Sequence, residues 1–293
     1  MRTETEIVIE AWNTVLFEKF CRFRPLLTRG LERHGEELLR RRPPRYATRV
    51  LDVGCGFGDT TRHIAALIGR GGTAVGVDCA SNFIENAELD ARTEGTDNSR
   101  FFVGDVQTCD LQGPYDYVFS RFGTMFFSLP GAAFRNIRRA LVPGGTLNLV
   151  VWRRREDNTW LHAAEQCVKQ IVPVVSHDQT NAVHCGPGPF SLAGPDLVSD
   201  LLRASGFTRV GFDRFDTDIC IGRDLDDAVE FAIALGPAGE IVRLAGDVGR
   251  ALEADVRAAL RETLQPFARK DGVWAPSSTW LVHAENPGES PLS

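Results

Sequence analysis

The chain has 293 residues, 43% of them hydrophobic and 25% charged, with a formal net charge of −6. That is enough apolar material for one large core, or a core with a cap, and the acidic balance argues against a nucleic-acid binder, which needs a basic face to displace counterions. No apolar run approaches the roughly 20 residues that span a bilayer, so no membrane span is expected, and the start Met1-Arg2-Thr3-Glu4 lacks a signal-peptide pattern, so the expected location is cytoplasmic.

Residues 7–42 read as helical, with Val8, Ala11, Trp12, Val15 and Leu16, then Leu26, Leu27, Leu31, Leu38 and Leu39 at helix-compatible spacing. The run Arg40-Arg41-Arg42-Pro43-Pro44-Arg45 breaks the pattern and reads as a solvated helix end, with a phosphate or membrane contact as the lesser alternative. A short apolar strand, Val50-Leu51-Asp52-Val53, then runs into Gly54-Cys55-Gly56-Phe57-Gly58, where glycine at alternate positions lets backbone approach a nucleotide-like ligand. The dinucleotide fingerprint G-x-G-x-x-G would place its third glycine at position 59, where this chain has Asp59, a poor neighbour for a pyrophosphate. Asp52 ahead of the loop suits a ligand carrying an ammonium and a sulfonium. The loop therefore favours S-adenosylmethionine over NAD, although an NAD-dependent oxidoreductase stays open as an alternative.

A helix over 60–68 leads to a second buried strand, Ala74-Val75-Gly76-Val77, ending in Asp78, which is placed to hold a ribose diol. After a helix over 81–91, the strand Phe101-Phe102-Val103-Gly104 ends in Asp105, which could accept from an adenine amino group. Cys79 and Val106, the residues after the two acids, join the candidate cofactor set with Ser120, at the end of a fourth strand over 117–120. A helix over 131–141, with Phe134, Ile137 and Leu141 on one face, precedes Leu141-Val142-Pro143-Gly144-Gly145-Thr146 and a fifth strand through Trp152. Strands alternating with helices of this length imply an α/β fold with a mostly parallel sheet covered on both faces, which binds ligands at strand carboxyl ends. Asp52, Asp78, Asp105 and Ser120 all fall at such ends, so one pocket is expected.

Further on, residues 160–172 read as a helix, 173–190 as a loop, 195–204 as a helix closed by Gly206, and 209–215 as a strand. Segments 225–235 and 240–268 look helical, and 279–284 alternates as a final strand. The tail 286–293, rich in Pro, Gly and Ser, reads as disordered.

The set Leu51-Asp52-Val53-Gly54-Cys55-Gly56-Phe57-Gly58, Gly76-Val77-Asp78, Val103-Gly104-Asp105 and Leu141-Val142-Pro143-Gly144-Gly145-Thr146 resembles the class I S-adenosylmethionine-dependent methyltransferases, and among them the type 11 group that includes quinone-biosynthesis methyltransferases. The segment Ser120-Arg121-Phe122-Gly123-Thr124-Met125-Phe126-Phe127, with Val151-Trp152 and Asn158-Thr159-Trp160-Leu161, is similar to a bacterial branch whose substrates are mostly unassigned. The resemblance implies a Rossmann-like sheet of seven strands, S-adenosylmethionine as cofactor, S-adenosylhomocysteine as product, and an N-terminal segment that covers the cofactor. It makes Trp12 and Asn13 lid candidates, against ordinary helix packing. The family usually joins its last two strands by a hairpin, so the intervening helices read as a cap, with a dimerisation arm, and hence a homodimer, as the competing reading. The resulting division is an N-terminal helical lid over 1–45, a core over 46–223 with 277–285, a cap over 224–276 and a tail over 286–293.

An activated sulfonium methyl needs mainly an aligned acceptor and exclusion of water. A hydroxyl acceptor would profit from a base, for which His162, His177 and His184 are the candidates after the fifth strand. A metal site from His177, Asp178, His184 and Cys185 matches no standard ligand spacing, so no metal is expected. The 7 cysteines, scattered and odd in number, argue for reduced thiols. Phe122, Met125, Phe126, Trp152, Trp160 and Phe190, with Trp12, suggest a pocket for a hydrophobic or aromatic small molecule, or alternatively core filling. Arg121 and Arg153-Arg154-Arg155 read as an exposed cationic turn, or as a grip on an acidic substrate group. A cofactor-binding protein without turnover stays open, because methyl transfer leaves no obligatory signature.

Overall fold

The computed structural model describes residues 4–173 and 187–288. Three helices come first, α1 (Glu4–Asn13), α2 (Val15–Arg22) and α3 (Arg24–Arg41), where one long helical stretch was expected. The chain then alternates through β1 (Arg49–Val53), α4 (Asp59–Ile68), β2 (Thr73–Asp78), α5 (Ser81–Glu94), β3 (Ser99–Val103), β4 (Tyr115–Arg121), α6 (Pro130–Ala140) and β5 (Leu141–Trp152). It continues with α7 (Thr159–Ile171), α8 (Pro195–Ala204), β6 (Thr208–Gly222), α9 (Leu225–Leu235), α10 (Pro237–Leu244), α11 (Gly246–Ala251), α12 (Glu253–Leu264), β7 (Ala268–Arg269) and β8 (Gly272–Glu285).

The sheet order is β3-β2-β1-β4-β5-β8-β6, with β1 to β5 parallel and β8 antiparallel to both β5 and β6; the two-residue β7 pairs with β8 beside this path. The mostly parallel α/β sheet expected from the pattern is thus present, with the seven strands that the resemblance implies and the short β7 as an eighth. Both faces of its strands are apolar, as a sheet covered on both sides requires. Leu51, Val53, Val118, Leu147 and Leu149 share one core with Phe134 and Ile137 of α6 and Val198 and Leu202 of α8. Val50, Phe119 and Val150 belong to another, with Leu38 and Leu39 of α3 and Ile64 and Ile68 of α4.

The last two strands are longer than their alternation suggested. β6 continues to Gly222 and β8 starts at Gly272, and beyond the Trp152–Thr279 pair β8 has β6 as its ladder partner at Pro276. Proline lacks a ladder donor and is tolerated where one edge needs none, so Pro276, which the sequence placed at the end of the cap, extends the strand. The stretch expected as one helix over 240–268 is divided among α10, α11 and α12. With α7 and α9 these helices bury a separate core around Trp160, Val168, Phe231, Val256 and Leu260. The tail departs from expectation at its first residue: Asn286 is buried and its side chain donates to the Leu141 carbonyl at 2.8 Å, while residues 289–293 lie outside those described.

His34, on α3, escaped the sequence reading because nothing in a helical stretch marks it. It is fully buried among Phe122, Trp152 and Phe215, at ring-centroid distances of 5.5, 5.6 and 5.7 Å. The Ser277 hydroxyl donates to the Thr217 carbonyl, so the His34 Nε2, 2.9 Å from that oxygen, must be the protonated nitrogen of a neutral ring. Burial pushes the imidazole down to about 4 from 6.5, with the Arg121 charge acting in the same direction. A native value below the unfolded one means full stability above 6.5 and progressive loss as the pH falls towards 4. Asp52 acts in the opposite sense: its carboxyl is pushed up to about 7 by burial, which makes ionisation costly as the pH rises. The difference between wild type and His34→Gln cancels the Asp52 contribution. Urea unfolding should show the stability of wild type relative to His34→Gln falling by about 3 kcal/mol from pH 7 to pH 4; a pH-independent difference would mean the ring is not held neutral.

Candidate cofactor and substrate site

β1 and β4 are neighbours where the strand order reverses, and at such a point the connections leave in opposite directions and a crevice opens at the strand ends. The loop after β1 is drawn into it by Gly54, whose N–H donates to the Val77 carbonyl at 2.8 Å, followed by Cys55 N–H at 3.1 Å. Gly54 has φ +67°, and a β-carbon there would stand 2.8 Å from the Cα of Gly123 after β4, so only glycine allows both the turn and the contact. Gly56, at φ +53°, has nothing within 4 Å of where its β-carbon would be. Its missing side chain leaves open space at the crevice wall, the form that a ligand cradle takes.

Asp78 fixes this loop. One carboxylate oxygen accepts from Gly56 N–H and the other from Ala80 N–H, both at 3.0 Å. Burial raises its carboxyl, and these backbone donors work against that rise. Asp105 accepts from the backbone N–H and the side-chain amide of Gln107 at 3.0 Å, and Asp52 from the Thr61 hydroxyl at 2.6 Å. Each oxygen retains lone pairs for a ligand.

A cavity of about 1100 Å³ opens over these ends. Asp52, Gly54, Cys55, Gly56, Phe57, Asp78, Cys79, Asp105 and Val106 all contribute to its wall. Two candidates do not. Ser120 is buried beneath, its hydroxyl donating to the Val53 carbonyl at 2.7 Å and so tying β4 to β1, and Gly58 packs behind the loop against Phe101 and Ala87. Their spacing marked strand ends and loop geometry, which is a different thing from facing a ligand.

All of Trp12, Phe122, Met125, Phe126, Trp152, Trp160 and Phe190 line the same cavity. Phe122 stacks on Trp152 at 4.3 Å and an interplanar angle of 19°, and reaches that position with φ +62°. A bulky residue in the left-handed region costs of order 1–3 kcal/mol, and such strain gathers at ligand sites. Trp12 meets Phe126 edge-on at 4.9 Å, and Asn13 accepts from Asn82 N–H at 3.0 Å, fastening α1 to the start of α5. On the far side, residues 236–243 around the α9–α10 junction complete the wall.

Of the three candidate histidines, His162, on α7, is absent from this wall, and His177 and His184 lie outside the described residues, as do Asp178 and Cys185. Among the described residues no group of three or more metal-ligating side chains is found, and none of the residues lining the cavity is a histidine. Of the arginines read as an exposed turn, Arg154 is exposed, and the other three are paired. Arg121 holds Asp59 at 2.7 Å, Arg153 reaches Asp157 at 3.2 Å, and Arg155 donates to both oxygens of Glu165 at 2.7 Å. Glu165, only 4% exposed, was missed altogether. Burial would raise its carboxyl, but hydrogen bonds from Lys169 and Arg155 outweigh this and hold it below the ordinary value.

These residues fit an adenosyl sulfonium: bare backbone at Gly56, acids at successive strand ends, and a volume above the 300–1,000 Å³ usual for one small ligand. Comparison with known proteins agrees. A methyltransferase-domain family model matches residues 50–145. Nocamycin O-methyltransferase of Saccharothrix syringae is 29% identical over 57% of this chain and 61% of its own length, and demethylmenaquinone methyltransferase of Lactococcus lactis is 26% identical over 42% and 50%. Over residues 50–145 the chain is thus similar to methyltransferase domains.

The fold is also that of the solved YcgJ protein from Bacillus subtilis, with a TM-score of 0.55, 17% identity, and coverage of 88% of this chain and 100% of that one. The chain spans 61% and 50% of the length of the two curated methyltransferases. Among the described residues, no helix is long and apolar enough to cross a membrane.

Proposed function

We propose that this protein transfers the methyl group of S-adenosylmethionine to a small, hydrophobic or aromatic molecule that carries an oxygen. The observation that carries this reading is the division of one cavity, with carboxylates and glycine loop at the strand ends and an aromatic wall of Phe122, Trp152, Trp160 and Phe190 beside them. The bound cofactor supplies an already activated methyl group on sulfur, so the protein's part is to bind, orient and exclude water. Asp78 holds the ribose, Asp105 the adenine edge, and the Gly54–Gly56 loop with Asp52 the methionine part. Residues 1–45 act as a lid and 224–276 as a cap; α1 tied to α5 and the α9–α10 wall support both roles. The acceptor is a small molecule met in the cytoplasm rather than a nucleic acid, in keeping with the net charge of −6.

The indole N–H of Trp160 is buried in the cavity wall with no hydrogen-bond partner among the described residues. A buried donor without a partner costs about 1–3 kcal/mol, which an oxygen on the acceptor would relieve. Trp160→Phe keeps the ring and removes the donor. It should lower kcat/KM by about tenfold while leaving the affinity for S-adenosylhomocysteine unchanged. Incubation with methyl-labelled cofactor and cell extract, followed by mass spectrometry of labelled products, tests the whole reading. A labelled apolar product is expected, and label appearing only in polymer, or in nothing, would overturn it.

A further inference from the structure

Along the sheet edge the order β3, β2, β1, β4 sets Asp105, Asp78, the glycine loop and Arg121 in a row. Three strand spacings make this row about 14 Å long. A ligand with its base at Asp105 and its ribose at Asp78 must carry its other end over the glycine loop towards β4. What waits there is an ion pair, Arg121 to Asp59 at 2.7 Å, in the cavity wall. Arg121 is the one cation of the described wall that comes from a strand end; Lys19 sits on α2, and Arg22, Arg155, Arg243 and Arg257 sit on helices or after β5, paired with Glu230, Glu165, Glu240 and Glu253.

We infer that the Arg121–Asp59 pair is the receptor for the α-amino-carboxylate head of the cofactor, with Arg121 as the residue that recognises the carboxylate. The inference rests on the adenosyl reading of the site above. An amino-acid head is a zwitterion, and a preformed cation–anion pair of opposite order is its electrostatic complement. The ammonium meets Asp59 and the nearby Asp52, while the carboxylate meets the guanidinium. Arg121 has donors to spare, since one terminal nitrogen bonds Asp59 and the other reaches the Thr28 carbonyl only at 3.5 Å, out of the five N–H groups a guanidinium carries. It is pre-positioned, with a side chain 14% exposed and packed against Gly35 of α3. Low exposure strengthens a charge-assisted bond relative to one in water. It also accounts for Asp59 at a position where a phosphate-binding loop would avoid an acid.

Calorimetric titration of the full chain with three ligands tests this: S-adenosylhomocysteine, its decarboxylated analogue, and 5′-methylthioadenosine, which lacks the whole head. Wild type should bind S-adenosylhomocysteine at least about tenfold more tightly than the decarboxylated compound, the worth of one charge-assisted contact. Arg121→Gln should reduce that ratio to near one and leave methylthioadenosine binding unchanged, and Arg121→Lys should restore part of the ratio. Arg121 serving only to join α3 to α4 would instead weaken all three ligands alike, which overturns the inference. So would a wild-type protein indifferent to the carboxylate, a result available even if neither variant folds. Methylthioadenosine bound without preference for the amino acid sinks this inference alone, whereas no binding of any of the three sinks the adenosyl reading with it.

Discussion

Asp78→Ala should weaken S-adenosylhomocysteine binding by about 1.5–3 kcal/mol, roughly 10- to 150-fold, because two charge-assisted hydrogen bonds to the ribose are lost. The structure adds a second consequence. Asp78 also accepts from Gly56 N–H and Ala80 N–H, so its removal loosens the loop itself, and thermal unfolding should show a loss of about 1–3 kcal/mol. Asp78→Asn keeps the size but only one acceptor oxygen, so it retains one of the two loop bonds and sets its NH2 against the other donor; stability should recover only in part, and affinity should stay reduced, a neutral acceptor bonding about half as strongly. Wild-type affinity in Asp78→Ala would remove this residue from the site.

The glycine loop offers the second large effect, and it distinguishes two glycines with similar backbone angles. At Gly56, alanine meets no protein atom within 4 Å and pays only for its left-handed backbone, about 1–2 kcal/mol. Its methyl group projects into the space reserved for the cofactor, so Gly56→Ala should stay folded and lose S-adenosylhomocysteine binding by about 100-fold or more, the cost of a steric clash with a rigid ligand. At Gly54 the β-carbon would stand 2.8 Å from the Gly123 backbone, which cannot swing aside. Gly54→Ala should therefore lose about 2–4 kcal/mol of stability through strain and overpacking together. Thermal unfolding paired with calorimetry reads both. A Gly56→Ala protein that binds normally would show that the ligand does not pass over this residue.

The strand-end half of the cavity was legible because its determinants are local. Asp52, Gly54, Cys55, Gly56 and Phe57 are contiguous, and Asp78 and Asp105 each close a strand whose apolar run is visible in the chain. The same pattern led to Ser120 and Gly58, which share the positions but face away from the cavity, into the β1–β4 junction and towards Phe101. Orientation at a strand end depends on the next strand's register, which no local spacing encodes.

The substrate half depends on contacts between distant segments. That Phe122 would stack on Trp152, that Arg121 would meet Asp59 rather than solvent, and that Arg155 would neutralise a buried Glu165 are facts of tertiary geometry. Charge alone made these arginines look like surface residues. His162 carried the right chemistry for a base on the expected helix, and the helix turns it away from the cavity wall.

By itself, then, the order of residues determined the alternating α/β architecture, the glycine loop and the acids that close β1, β2 and β3, because apolar periodicity and backbone freedom act over a few neighbouring residues. Tertiary structure alone decided the length of the β6–β8 ribbon, the division of the inserted helices, the aromatic wall and the pairing of its charges. The physical reason is that burial and ion pairing are settled by which segments come into contact, and those contacts join positions as distant as His34 and Ser277.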